Sequence, residues 1–231
     1  MRVMVITPTT GKDTVRKAIE SVAKQTITTE HLLVLDGGTA ELKYNNLADG
    51  EHYPTIITLP ENVGGGGWYG HRVYAGMPFM VNADYILFLD EDNWFEPNHV
   101  ETMIEKIKSK NLMWAYSLRR ICDEEGNFVC EDDCESLGRW PTFYDHTLNF
   151  VDTNCYCFRR EYLVHVCQHF YGQWGQDRVF YQAASKSLPA FGCTGEATVN
   201  YRAAERLFNM FKEGNEKMIN AYKQPLPWRN K

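Results

Sequence analysis

Tyr85-Ile86-Leu87-Phe88-Leu89-Asp90-Glu91-Asp92-Asn93 is five apolar residues followed at once by four polar ones, three of them acids. A run that is apolar at every position is a strand covered on both faces. Burying bare carboxylates is costly, so acids at its end want a cation or a set of donors. Two acids in i, i+2 relation on an extended turn can aim at one site, and hard oxygen ligands suit Mg²⁺ or Mn²⁺. The competing explanation is a solvated acidic turn, because Asp and Asn favour turns in any case.

Outward from this stretch, strands and helices alternate. Val3-Met4-Val5-Ile6 is a β-branched run ended by Thr7-Pro8-Thr9-Thr10-Gly11. Asp13 or Thr14 then caps a helix with Val15, Ala18, Ile19, Val22 and Ala23 at helical spacing. His31 to Leu35 and Ile56 to Leu59 are further strands, closed by Asp36-Gly37-Gly38 and by Pro60. Trp68 to Val81 reads as a helix with Pro78 as a flaw near its end, and Pro97 opens a helix to about Lys110. This alternation predicts an α/β fold with a doubly wound, mostly parallel, Rossmann-like sheet. Ligands on such sheets sit at the carboxyl ends of the strands. The polar residues there are Thr7, Thr9, Asp36, Glu61, Asn62, Asp90, Glu91 and Asp92.

The second half is less regular. Leu112 to Leu118 and Phe150 to Phe158 read as strands, with a helix from about Arg160 and another after Gly175-Gln176-Asp177. Cys122 to Ser136 is strongly acidic and reads as a hairpin or mobile loop. Thr198 to Tyr201 is a last strand, and a helix from about Ala203 to Tyr222 leads into a tail with Pro225 and Pro227. The expected organisation is one domain over 1–231. Residues 1–110 form the regular parallel half, 111–202 a smaller mixed half, and 203–231 a C-terminal helix and tail. That tail is a docking segment or the start of a linker to a larger multidomain protein.

A net charge of −6 over 231 residues leaves no basic face to displace counterions from phosphates, which excludes a general nucleic-acid binder. No apolar run reaches the length of a membrane span. Met1 to Ile6 is too short for a signal-peptide core, so the expected location is cytoplasmic, or peripheral to a membrane. Seven cysteines without zinc-finger spacing read as free thiols in a reducing compartment.

Val5-Ile6-Thr7-Pro8-Thr9, Leu33-Val34-Leu35-Asp36-Gly37-Gly38, Asn62, Arg72, the Tyr85–Asn93 stretch and Pro97, in that order, resemble a family-two glycosyltransferase with the GT-A fold. The likeness continues more loosely through Phe158-Arg159-Arg160-Glu161 and Gly175-Gln176-Asp177 to Tyr201-Arg202. It implies an inverting enzyme that takes a sugar from a nucleotide donor, usually a UDP-sugar, with a glycan or other glycoconjugate as acceptor. Residues 1–110 would be the nucleotide-sugar-binding half and 111–202 the acceptor-binding, catalytic half. Thr7, Pro8 and Thr9 would line the base pocket, with Asp36 at the base or ribose. Asn62, Gly64, Arg72 and Glu91 would belong to the donor-binding set. Asp90 would sit near the ribose or a metal-bound water, and Asp92 would ligate Mn²⁺ or Mg²⁺ at the diphosphate. Asp177 would be the general base, although the pair reads Gln176-Asp177 where the family has Glu-Asp. Asp152 and Glu196 are rival carboxylates.

Gly64-Gly65-Gly66-Gly67 stands before the helix where the family has a shorter stretch. Its backbone N–H groups can approach an anion, or the glycines merely permit a tight turn. Arg72 either pairs with phosphate or lies on a helix surface. Trp140, Phe143, Tyr144, Tyr156, Phe170, Tyr171 and Trp174 crowd the second half, and Trp140 and Trp174 are candidates for an acceptor groove. Two other readings remain at this level: a sugar-phosphate nucleotidyltransferase, which would release pyrophosphate, and a non-catalytic nucleotide- or carbohydrate-binding module of the same fold.

Overall fold

The computed structural model describes residues 1–45, 54–143 and 149–229. Its parallel half starts with β1 (Val3–Thr9), α1 (Val15–Ala23), β2 (Glu30–Leu35), α2 (Gly38–Asn45) and β3 (Thr55–Thr58), then α3 (His71–Met80) and β4 (Tyr85–Phe88). The mixed half contains β5 (Trp94–Phe95), α4 (His99–Lys110), β6 (Trp114–Cys122), β7 (Phe128–Glu131), β8 (Tyr156–Arg159) and α5 (Arg160–Leu163). It ends with α6 (Gln176–Ser187), β9 (Phe191–Arg202) and α7 (Phe208–Tyr222). Among the described residues the strands form a single sheet in the order β3-β2-β1-β4-β8-β6-β9-β5, with β7 added to the far end of β6. The strands from β3 to β4 are all parallel, and β8 then runs antiparallel to both β4 and β6.

β1 and β4 are buried at every position, as an apolar run without alternation requires. α1 turns Val15, Ala18 and Val22 inward and packs on β2 and β5. Thr14 precedes it, but no side chain caps it. The helix expected from Trp68 begins only at His71, because Gly66, Gly67 and Tyr69 have positive φ and hold 66–69 in turns. α2 and β5 carry no clear pattern in the sequence.

The mixed half is built around aromatic rings. Trp114 is fully buried and stacks on Phe191 at 4.2 Å and Phe158 at 5.2 Å. Of the strand expected over 150–158, only its last three residues join the sheet. Asp152 Oδ1 accepts the Asn154 N–H, which bends Thr153–Cys155 into a turn of 3-10 helix. β9 is longer than expected and bulges where Gly195 has φ +78°. Of the two readings of the acidic segment the hairpin is found, β7 pairing antiparallel with β6, and beyond it Asp132 and Glu135 turn inward onto Arg119. The tail docks on its own chain, with Trp228 buried and its indole N–H donating to Asp133 Oδ1 at 2.8 Å. No helix among the described residues is long and apolar enough to cross a membrane.

Candidate active site

β1 lies between β2 and β4, so the chain leaves its carboxyl end toward one side while β4 arrives on the other. This is the reversal point where a crevice opens in a parallel sheet. A cleft of about 570 Å³ opens there, floored by the ends of β1 and β4. The second half closes it with residues 152–153, the start of α6 and the end of β9. Six acids line it: Asp36, Asp90, Glu91, Asp92, Asp152 and Asp177.

These acids differ in how well they are satisfied. Glu91 accepts from the Thr9 hydroxyl at 2.6 Å, from Thr10 N–H and hydroxyl at 3.0 and 2.9 Å, and faces Lys12 Nζ at 3.2 Å. Burial pushes its pKa up, but these donors outweigh that and hold it below the ordinary value. Asp36 accepts the Val63 and Gly64 N–H groups at 2.7 and 2.9 Å, pinning the glycine loop to the end of β2. A Cβ at Gly64 would lie 2.7 Å from Asp36 Oδ2 and 2.3 Å from Tyr69 O, so only glycine fits. Asp152 is taken by Arg119 at 2.5 Å on one oxygen and by Asn154 on the other.

Asp90 lies deep, with part of its surface open to the cleft. The Tyr74 hydroxyl donates to Oδ1 at 2.6 Å, and Asn154 Nδ2 to Oδ2 at 2.8 Å. Burial, then the charges of Asp92 and Asp152, push its pKa up to about 7 against those two bonds. Asp92 and Asp177 are the loosely held pair. No other side chain among the described residues donates a hydrogen bond to the Asp92 carboxylate, and burial raises its pKa, with Lys12 and Arg202 opposing. Among the described residues Asp177, in the first turn of α6, accepts only the adjacent Arg178 N–H at 2.9 Å, with Arg178 Nη1 at 3.6 Å. Burial again raises its pKa, Arg178 opposing.

The expected residues Pro8, Thr9, Asn62 and Gly64 line the cleft with these acids, but Thr7 and Arg72 do not. Thr7, one residue before Pro8 in β1, is fully buried, with its hydroxyl on His31 Nε2 at 2.9 Å. Arg72 stacks on Trp68 at 3.8 Å and donates to Val63 O, so it braces the glycine loop. Glu196 lies on β9 away from the lining. Trp174 lines the cleft and is 80% exposed, whereas Trp140 packs against Trp228. Phe170 and Tyr156 belong to the core, and Tyr144 lies outside the described residues.

Sequence reasoning gave no role to Lys12, Tyr74, Asn154, Arg178 or Arg202. Arg202 Nε donates to the Asp92 carbonyl at 3.1 Å, so this cation stands beside the acids. Only the Tyr201-Arg202 resemblance pointed toward it. Nothing in the spacing marks Asn154, which reaches Asp90 because β8 pairs with β4.

Among the described residues no three His, Cys, Asp or Glu side chains cluster as a ready metal cage. The site still fits a hard divalent ion. Such ions are often bound by one or two carboxylates, with water and substrate phosphate oxygens as the rest. Asp92, short of donors, with Asp90 beside it, is that kind of donor set.

The model of the family described as Glycosyl transferase family 2 matches residues 4–167, and the chain belongs to that family. No curated protein matches it. Solved structures with the same fold include Staphylococcus aureus TarS 1-349, 16% identical at a TM-score of 0.65, over 87% of this chain and 60% of that one. TarS 1-349 in complex with UDP-GlcNAc gives a TM-score of 0.66 at 16% identity, over 89% of this chain and 59% of that one. Its complex with UDP gives 0.62 at 16% identity, over 95% and 65%. The fold is therefore GT-A, and the chain spans between 59% and 65% of the length of these TarS 1-349 chains.

Proposed function

We propose that the protein transfers a glycosyl group from a nucleoside-diphosphate sugar, a UDP-sugar, to a hydroxyl of a glycan or glycoconjugate, inverting the anomeric carbon. The observation that carries this is the division among the cleft acids. Glu91, Asp36 and Asp152 are saturated, while Asp92 and Asp177 are half-buried with few donors of their own. A carboxylate in that state is short of a positive partner. Asp92 answers this with a cation, and Asp177 with a proton.

In this reading Asp177 takes the proton of the acceptor hydroxyl as its oxygen bonds to the anomeric carbon. The bond from that carbon to the diphosphate breaks on the opposite face, its electron pair leaving with the nucleoside diphosphate. One displacement of this kind inverts the centre. Asp92, with Asp90, would hold Mn²⁺ or Mg²⁺, which when bound stabilises charge on the departing diphosphate. Lys12 and Arg202 line the cleft nearby and add fixed positive charge. Pro8, Thr9, Asp36 and Asn62 border the donor end. The exposed face of Trp174, three residues before Asp177, suits the C–H face of a pyranose. All seven cysteines are free thiols, which supports a cytoplasmic or membrane-peripheral location.

A thermal-shift panel of nucleotide sugars with and without Mn²⁺ identifies the donor, since a ligand that binds only the folded state raises its melting temperature. Asp92→Ala should abolish the Mn²⁺-dependent shift and turnover while the unliganded melting temperature holds; normal turnover would remove the metal role. Asp177→Asn should keep UDP-sugar binding and lose about 10²–10⁴-fold in turnover; an unchanged kcat would move the base elsewhere. Release of pyrophosphate in place of UDP would make the protein a nucleotidyltransferase.

A further inference from the structure

Arg119 does not line the cleft, yet the acids it holds lead through Asn154 to Asp90 and through Arg178 to Asp177. Its guanidinium is buried under the Tyr201 ring at 4.3 Å and forks to three acids. Nε donates to Asp132 Oδ2 at 2.7 Å, Nη1 to Asp152 Oδ2 at 2.5 Å, and Nη2 to Glu135 Oε2.

From Asp152 one arm runs to the donor side. Asp152 Oδ1 accepts Asn154 Nδ2 at 2.7 Å, and the same nitrogen donates to Asp90 Oδ2 at 2.8 Å. Asn154 Oδ1 accepts the Asp90 backbone N–H at 2.6 Å, so Asn154 holds Asp90 by main chain and side chain together. From Glu135 the other arm runs to the base side. Glu135 Oε1 lies 3.7 Å from Arg178 Nη2, and Arg178 Nη1 lies 3.6 Å from Asp177 Oδ1. Glu135 thus competes with Asp177 for one arginine.

We propose that Arg119 is a positioning residue that fixes the donor-side acids and the general base relative to one another through these two arms. The inference rests on the roles given to Asp90, Asp92 and Asp177 above. Guanidinium suits the task because its planar fork engages several carboxylates in fixed directions, which the point charge of a lysine does not. Each arm has its own effect. Asn154 sets the direction in which Asp90 faces the donor. Glu135 draws Arg178 away from Asp177, which leaves the base free for the acceptor.

Arg119→Lys should impair both donor binding and turnover, but it disturbs the buried Asp132 and Asp152 and with them the fold. Asn154→Ala and Glu135→Gln therefore carry the test, each cutting one arm. The probes are UDP binding in Mn²⁺ by calorimetry and hydrolysis of UDP-GlcNAc, with water standing in for the acceptor hydroxyl. Outer partners of this kind typically contribute about 10–100-fold. Asn154→Ala should weaken UDP by about tenfold. Glu135→Gln should leave UDP affinity within about twofold and lower kcat by about tenfold. Both variants wild-type in both measurements, or both changed equally in both, would overturn the proposal. A wild-type protein that binds no UDP would instead overturn the functional reading, and this inference with it.

Discussion

At the carboxyl edge of the parallel half, Glu91 and Asp36 are held mostly by backbone N–H groups and threonine hydroxyls of adjoining loops. In the mixed half, Asp132, Glu135 and Asp152 share the one guanidinium of Arg119. The first arrangement distributes a buried charge over several dipoles, so no single donor is indispensable. The second adds one shared side chain, whose loss would leave Asp132 and Asp152 buried without a cation and Glu135 with Arg178 alone. The difference follows from how the charges are gathered: the N–H groups of Cys134, Glu135 and Ser136 converge on Asp132, but three carboxylates around one point need a positive charge as well.

The largest expected effect tests the concentrated arrangement. Arg119→Met should cost about 3–5 kcal/mol in urea unfolding, the usual penalty for removing one partner of a buried ion pair. A loss under about 1 kcal/mol would be the figure for an exposed pair and would show that the three acids find other partners.

Next comes acid sensitivity, which draws on both halves. His31 on β2 and His99 at the start of α4 are buried and neutral, and burial lowers the pKa of each to about 3. The unfolded chain therefore takes up these protons first as pH falls, so the stability they confer is full above about 6.5 and is lost progressively toward 3. Each should remove about 2 kcal/mol between pH 7 and pH 5, with the His31→Gln and His99→Gln proteins showing a flatter pH dependence of the urea midpoint.

The smallest effect tests the distributed arrangement. Glu91→Gln keeps the shape but turns an amide N–H₂ toward donors, which should cost about 1–3 kcal/mol. A cost equal to that of Arg119→Met would erase the contrast between the halves.

The strands at the cleft floor were legible because β1 opens on the apolar run Val3–Ile6, β4 is apolar throughout, and both lead into polar turns. Asp36, Asp90, Glu91 and Asp92 follow from that punctuation. Thr7 was misjudged because a fully buried strand has no polar alternation to show where it leaves the core; the cleft begins one pleat later, at Pro8 and Thr9. The glycine run misled about the start of α3 because a helical apolar pattern carries no information on the φ of Tyr69. In the mixed half the acidic composition of 123–135 was visible, but its target was not. Arg119 meets acids 13, 16 and 33 residues away, and no local periodicity encodes such pairings.

The sequence by itself determined the parallel half, the carboxylates at its edge and the GT-A resemblance, because these rest on hydrophobic runs and turn residues that act over a few positions. Tertiary structure alone decided which of six cleft acids are already satisfied and which are short of donors. That choice depends on donors such as Tyr74, Asn154 and Arg119, brought to the site from distant strands and helices. Their identity is written in the chain, but their proximity comes only from the way the strands pair.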